Sequence, residues 1–426
     1  MKTRKRIRVD QLKTGMYVVG MDQPWYKTPF LLHHFLVQSQ ETIDELVRHG
    51  VREVTIDPMK GLDLVDTPPP AEQQPDTPEN GTMPGAVETP SVSNTGLNDH
   101  RISSLAVARA DQLAYQEAES AIERVFEDLN GGTVPPVSTL KTIVGCFLSR
   151  ALQDRTAMMT QILLQQMRRF DRGLAGHAID TCILSLIFAS EYGMEEQDVE
   201  QVGIGALLHD VGYVRLPRNL YRARHRLASN EEELMRQHPR LGLTLLAAAK
   251  GLPEGVRSVI VEHHERIDGS GYPSRLSGAA VSPLGQLVGI VDTYQSLVTH
   301  QAGRMPLSPF QAIRNLFMLG EKRTFDKAFV EVAIKCLGVY PIGSVVKLNT
   351  GERAIVVGVH PEQRLKPTLK VIMDPNGESY ADPIIVDLTD TESGALKRTI
   401  LTALDPGTEQ INVAAYLDST PRENAA

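Results

Sequence analysis

The stretch Val202 to Gly212 constrains this chain more than any other. An apolar run, Val202 to Leu208, ends in His209 and Asp210 side by side, and Gly212 stops it. A buried helix that delivers an imidazole and a carboxylate at its last turn must pair them with something. Burying such groups unpaired costs about 2–7 kcal/mol each. A metal ion is the natural partner. Imidazole with carboxylate suits iron, manganese, zinc and similar ions.

Further candidates recur at helical spacing. Leu284, Val288 and Asp292 lie four apart, which puts the acid on an apolar stripe. Val256, Val259, Ile260 and His263 make a similar stripe, and His264 follows directly. His177 falls in a helix over Leu174 to Tyr192. His238 falls in a helix expected to start near Asn230, with Glu233 completing its cap. Any one histidine in such a place is more often a hydrogen-bonded core residue than a ligand. Five histidines and two acids on separate apolar helices are harder to explain singly. A helix bundle lets inward-facing side chains converge on one core site. Seven candidates exceed a tetrahedral zinc site and point to two ions with a shared carboxylate and a bridging water.

The rest of the chain frames this region. With 426 residues it should hold two or three domains. Its net charge of -8 disfavours a general nucleic-acid binder, so no DNA or RNA duplex is expected as partner. The basic start, Lys2 to Arg8, lacks a following apolar region and is not a secretory signal. No run reaches the length expected of a membrane span. Cys146, Cys182 and Cys336 are odd in number and widely spaced, which argues against a disulfide framework and for a reducing cytoplasm.

In chain order, residues 1–66 read as a small α+β unit. Strands are expected at Ile7 to Val9, Met16 to Val19 and Val51 to Ile56, with a helix from Gln40 to His49. Trp25, Pro29 and Phe30 are candidates for its core or for a surface that meets signalling proteins. Residues 67–96 form a Pro-rich linker. Residues 97–170 read as a connector of two helices, about Leu105 to Leu129 and Val137 to Phe170, and are candidates for a homodimer contact. Residues 171–340 read as all helix and carry the chemistry. Residues 341–390 read as a β-rich extension with a turn at Asp374 to Gly377, and 391–426 as a polar tail.

His209-Asp210, His263-His264-Glu265-Arg266, Asp268-Gly269 and Gly271-Tyr272-Pro273, in that order, resemble the HD-GYP family, a branch of the HD metal-dependent phosphohydrolases. The resemblance runs from about Leu174 to Gly343 and includes Glu232, Met235 and Gly242 around His238. Residues 7–66 also resemble the uncharacterised domain that often precedes HD-GYP domains, through Leu12 to Val18 and Trp25…Pro29-Phe30. The resemblance implies a mainly α protein: an HD-type helical bundle, a small α+β N-terminal domain and a short β-rich C-terminal extension. It implies a cytoplasmic enzyme that hydrolyses cyclic di-GMP to the linear dinucleotide, in some members on to GMP, on two or three divalent ions, usually iron or manganese. Carried over, the metal ligands are His177, His209, Asp210, His238, His263, His264 and Asp292, with Asp210 bridging. Tyr272 and its loop, with Arg266, Asp268, Gly271 and Pro273, should lie against the dinucleotide. Gly269 and Gly271 would let the loop approach a flat base closely.

Three positions depart from the family pattern. Tyr213 stands where members carry a phosphate-contacting Lys, so it takes a catalytic position without a charge. Gly173 stands where some members have a Glu for a third ion, so two ions are expected. Gln295 and Gln301 replace an Asp and an Arg, leaving Arg304 as a candidate phosphate contact. These changes keep open a receptor that binds cyclic di-GMP without turnover, and a hydrolase of another cyclic dinucleotide or phosphoester.

Overall fold

A computed structural model of the chain describes residues 4–22, 35–37, 39–48, 50–62, 115–168, 173–221, 225–299, 305–390 and 397–417. Trp25, Pro29, Phe30, the 67–96 linker, Gln301 and Arg304 lie outside the described residues. The chain divides into two compact units, Met1–Ser104 and Leu105–Ala426.

The first unit contains β1 (Lys5–Arg8), β2 (Tyr17–Met21), β3 (Phe35–Leu36), α1 (Gln40–Arg48) and β4 (Glu53–Ile56). The strands form an antiparallel sheet in the order β1-β4-β2-β3. Ile7, Val18, Val54 and Ile56 pack with Ile43 and Leu46 of α1 into one small core.

In the second unit a helix over 115–130, α2, precedes α3 (Val137–Gln153) and α4 (Arg155–Arg168). The single helix expected from Val137 to Phe170 is therefore two. Asp154 breaks it, and its Oδ1 accepts from the Ala157 N–H at 2.8 Å, which caps α4. The buried stripe of α3 is Leu140, Val144, Phe147 and Ala151, which leaves Leu152 exposed.

The helices that frame the site follow: α5 (Gly173–Tyr192), α6 (Glu196–Leu208), α7 (Arg218–Tyr221), α8 (Ser229–Met235), α9 (His238–Leu245), α10 (Glu254–Glu262), α11 (Pro283–Val298), α12 (Pro309–Glu321) and α13 (Lys327–Leu337). Helix α5 has the length and apolarity of a membrane span, contrary to the expectation that no run does. Every residue from Ala178 to Ala189 is buried against the rest of the unit, so packing accounts for that apolarity. The helix expected to run from Asn230 through His238 is also two. Glu231, not Glu233, closes the cap of α8 by accepting from the Ala228 N–H at 2.8 Å. His238 then opens α9, with Pro239 in its first turn, where a missing N–H costs nothing.

Beyond α13 lie β5 (Val345–Leu348), β6 (Arg353–Gly358), β7 (Thr368–Met373), β8 (Ser379–Asp387), β9 (Ile400–Leu404) and α14 (Val413–Leu417). The expected turn at Asp374 to Gly377 joins β7 to β8. The sheet, in the order β8-β7-β6-β5-β9, continues past residue 390 because β9 pairs antiparallel with β5. The stretch read as a polar tail thus contributes a strand and a short helix. Ile411, Val413 and Leu417 complete the sheet's core with Val345, Ile355 and Ile372.

Candidate metal centre

Helix ends build the site. The last carbonyls of a helix have no N–H partner within it, and here they orient histidines. His209 follows the end of α6 and sends Nδ1–H to the Ala206 carbonyl at 2.7 Å. His263 follows α10, with Nδ1 at 3.2 and 3.1 Å from the Val259 and Ile260 carbonyls. His238 uses the Met235 carbonyl at the end of α8, at 2.8 Å. Each bond puts the proton on Nδ1 and leaves the Nε2 lone pair facing inward, the tautomer a metal requires. All three rings are fully buried.

Asp210 lies between them, and its two oxygens face different partners. Oδ2 is 3.3 Å from His209 Nε2 and 3.6 Å from His177 Nε2. Oδ1 is 3.2 Å from His238 Nε2 and 3.7 Å from His263 Nε2. Asp292, on α11, also faces two ways: Oδ1 is 3.1 Å from His177 Nε2, and Oδ2 is 3.8 Å from His264 Nδ1. The structure therefore brings together all seven residues singled out from the sequence. Two groups of donor atoms tight enough to hold an ion share Asp210: one with His238, His263 and His264, the other with His177 and His209.

The donors fit metal ions. His209 Nε2 is buried with no hydrogen-bond partner. His238 Nε2 and His263 Nε2 meet at 3.1 Å, where two bare lone pairs would repel. Two donors about 2.1 Å from one ion and at right angles to each other lie about 3 Å apart. The set is imidazole and carboxylate without thiolate, which suits iron, manganese or zinc.

Electrostatics agree. Burial opposes ionisation of Asp210, but the facing imidazoles outweigh it and hold the carboxyl well below its usual range. Burial likewise opposes protonation of His209, yet the Asp210 charge pushes it up to about 9. Burial pushes His263 down to about 4 and His264 well below its ordinary value, so both rings are neutral.

Comparison with known proteins finds three modules along the chain. Residues 150–328 match the HD domain, residues 4–139 a domain of unknown function, DUF3391, and residues 345–406 a KOW domain associated with the HD domain. The chain carries an HD domain flanked by these two modules. It is 27% identical over 385 residues to a Pseudomonas aeruginosa protein named as a cyclic di-GMP phosphodiesterase, covering 90% of this chain and 89% of that one. It is 30% identical over 145 residues to a Vibrio cholerae protein named as a 3'3'-cGAMP-specific phosphodiesterase, covering 34% of this chain and 28% of that one. A solved HD-GYP-type protein from Bdellovibrio bacteriovorus matches at a TM-score of 0.44 and 17% identity, over 78% of this chain and 98% of that one.

Tyr213 lies on a 3-10 turn, Val211–Arg215, directly after Asp210. Its ring stacks on His238 at 4.1 Å. Burial, then the charges of Asp210 and Asp292, raise its pKa well above the usual phenol value, so it stays a neutral hydrogen-bond donor. Gly212 is fixed by packing: a Cβ there would lie 1.9 Å from the His238 carbonyl oxygen. Gly173 opens α5 and offers no third carboxylate. Gln295 is buried and accepts from Gln166 of α4.

The Gly-Tyr-Pro loop packs on the cluster, but several of its residues have other occupations than the expected substrate contact. Tyr272 stacks on His264 at 4.6 Å. Gly271 is needed because a Cβ would come within 2.5 Å of the main chain at His264 to Arg266. The tight fit is to the protein's own backbone rather than to a base. Arg266 donates to the carbonyls of His263 and Glu265 at 3.0 and 2.8 Å, and to Thr293 Oγ1 at 3.2 Å. Asp268 accepts from the Ser270 N–H at 2.9 Å and shapes the turn. Pro273 presents its carbonyl to Arg240 at 3.0 Å. The sequence reading missed two braces. One is Arg240. The other is Glu265, which is buried and accepts from the Ser274 and Leu276 N–H groups at 2.6 and 2.9 Å. An acid directly after two candidate ligands was the available signal for Glu265, but spacing does not separate a brace from a ligand.

Proposed function

We propose that this protein is a metal-dependent cyclic di-GMP phosphodiesterase that yields the linear dinucleotide pGpG, and that two divalent ions, iron or manganese, serve it. The observation that carries the reading is Asp210, whose two oxygens each face a separate pair of imidazoles. On this reading His177 and His209 would hold one ion and His238, His263 and His264 the other, with Asp210 and Asp292 completing the ligand set. The substrate assignment follows the name of the Pseudomonas relative, to which this chain is 27% identical over 90% of its length. The three free cysteines fit a reducing compartment such as the cytoplasm.

Bound divalent ions supply Lewis acidity toward the phosphate and lower the pKa of a water. The chain's own residues do the rest. Main-chain carbonyls behind His209, His238 and His263 keep each lone pair forward without reorganisation. The neutral Tyr213 phenol is a donor for a phosphate oxygen beside His238. Tyr272 covers His264 and closes one wall of the site. Hydrolysis adds water across one P–O3′ bond, leaving a 5′-phosphate and a free 3′-hydroxyl.

The test uses protein purified without air, incubated with cyclic di-GMP and iron(II) or manganese(II), with pGpG and GMP followed by chromatography. The reading requires product from the wild type and none from the double variant His209→Ala, Asp210→Ala. Metal and cyclic di-GMP bound without product would make the protein a receptor on an enzyme frame, the reading that Tyr213 in place of Lys favours.

A further inference from the structure

Among the described residues, the arginines placed at the site so far are engaged with the protein itself. Tyr213 carries no charge, and three hydrogen bonds to the domain itself occupy Arg266. Arg240 donates to the Pro273 carbonyl. A third arginine beside the loop differs. Arg236, directly after α8, lays its guanidinium over the Tyr272 ring, 5.3 Å from the centroid. His264 stacks on that same ring, so Arg236 sits one aromatic ring away from the imidazole–carboxylate cluster. Its side chain is exposed, and among the described residues its guanidinium has neither a carboxylate partner nor a hydrogen bond. The stretch after Tyr213 adds two more exposed arginines, Arg215 and Arg218, also without a carboxylate partner among the described residues.

We propose that Arg236 is a substrate-binding residue that contacts a phosphate oxygen of the dinucleotide, supplying from the end of α8 the positive charge that position 213 lacks. The inference rests on the phosphodiesterase reading above. A guanidinium resting on the half-buried Tyr272 ring keeps its five N–H donors available, because the ring engages its face and not its edge. A phosphate offers those donors short, charge-assisted and bidentate bonds, which are stronger than the ring contact they supplement. Tyr272 holds the planar group in place before substrate arrives, so little freedom is lost on binding. The Gly-Tyr-Pro tyrosine then serves as a rest for the arginine as well as a wall of the site.

The experiment compares wild type, Arg236→Gln and Arg236→Lys with manganese bound, measuring metal content, KM, kcat and cyclic di-GMP affinity at several salt concentrations. Arg236→Gln should raise KM and weaken binding by about ten- to a hundredfold. The loss should fall on KM rather than kcat, with metal content equal to wild type and a shallower dependence of affinity on salt. Arg236→Lys should recover most of it. An Arg236 that only packs on Tyr272 would leave the salt dependence as it is. KM within about twofold of wild type in Arg236→Gln, or an unaltered salt dependence, overturns the proposal. If the wild type neither binds nor hydrolyses cyclic di-GMP, the phosphodiesterase reading fails by itself. The arginine is then tested with bis(4-nitrophenyl) phosphate and manganese. A raised KM in Arg236→Gln supports the phosphate contact, and an unaltered KM overturns it.

Discussion

His209, His238 and His263 each send a ring proton to a main-chain carbonyl at a helix end, whereas the loop from Asp268 to Leu276 relies on side chains in addition to main-chain bonds from the Gly269 and Tyr272 N–H groups. Glu265 takes two of its N–H groups and Arg240 one of its carbonyls. The cluster is therefore as rigid as the packing of α6, α9, α10 and α11. The loop depends besides on a few charge-assisted hydrogen bonds. The difference separates two jobs. A metal site tolerates little displacement of its donors, so its orienting bonds come from backbone. A substrate-facing loop sits over those donors and is attached where one side chain can release it.

The largest effect should come from breaking the cluster at its shared member. Asp210→Ala removes the carboxylate that faces four imidazoles. Turnover should fall by on the order of a thousandfold, about 4 kcal/mol in transition-state stabilisation, with metal content sharply reduced and the helical circular dichroism retained. Gly212→Ala attacks the same region through packing. The added Cβ meets the His238 carbonyl, a backbone atom that cannot swing aside. We expect a loss of about 3 kcal/mol in unfolding stability, with reduced metal content, read by thermal melts and metal analysis.

Proton competition sharpens the comparison on the cluster side. His209 is protonated below about 9 in the metal-free protein. Since its folded pKa is raised, the stability it contributes is present below about 6.5 and lost as pH rises through about 9. A metal must displace that proton. Metal affinity should therefore rise with pH by about tenfold per unit up to that value, as titration calorimetry at several pH values would register. The loop offers the contrast. Glu265→Gln replaces two charge-assisted bonds with weaker neutral ones and should cost about 1–2 kcal/mol. Turnover should drop while metal content stays that of wild type. Arg240→Ala removes a single bond at an exposed side chain and should cost at most about 1 kcal/mol, with turnover reduced severalfold or less. A loss of metal in Glu265→Gln would erase the distinction between the two regions.

The cluster was legible in the sequence because its members sit on apolar periodic stretches, where an imidazole or carboxylate is costly without a partner. His209-Asp210 after Val202 to Leu208, and Asp292 in line with Leu284 and Val288, carry that signal alone. The loop was less legible. Gly271 reads as a turn glycine from its neighbours, and only the structure reveals that His264 to Arg266 leave no room for a Cβ. Arg266 was expected against the dinucleotide through the resemblance, but its donors go to local carbonyls and to Thr293. The break between α8 and α9 was invisible because the helical pattern runs through it. Pro239 is compatible with a helix start as well as a kink. Strand β9 escaped notice because its neighbours are polar and its partner, β5, lies some fifty residues earlier.

The most direct test of the central claim is the number of ions per chain. Protein purified without air and analysed by mass spectrometry for iron, manganese and zinc should hold two ions in the wild type. Asp210→Ala should hold none, or one bound far more weakly. A single ion in the fully active wild type, or two ions retained in Asp210→Ala, would contradict the account of Asp210 as the carboxylate that both ions share.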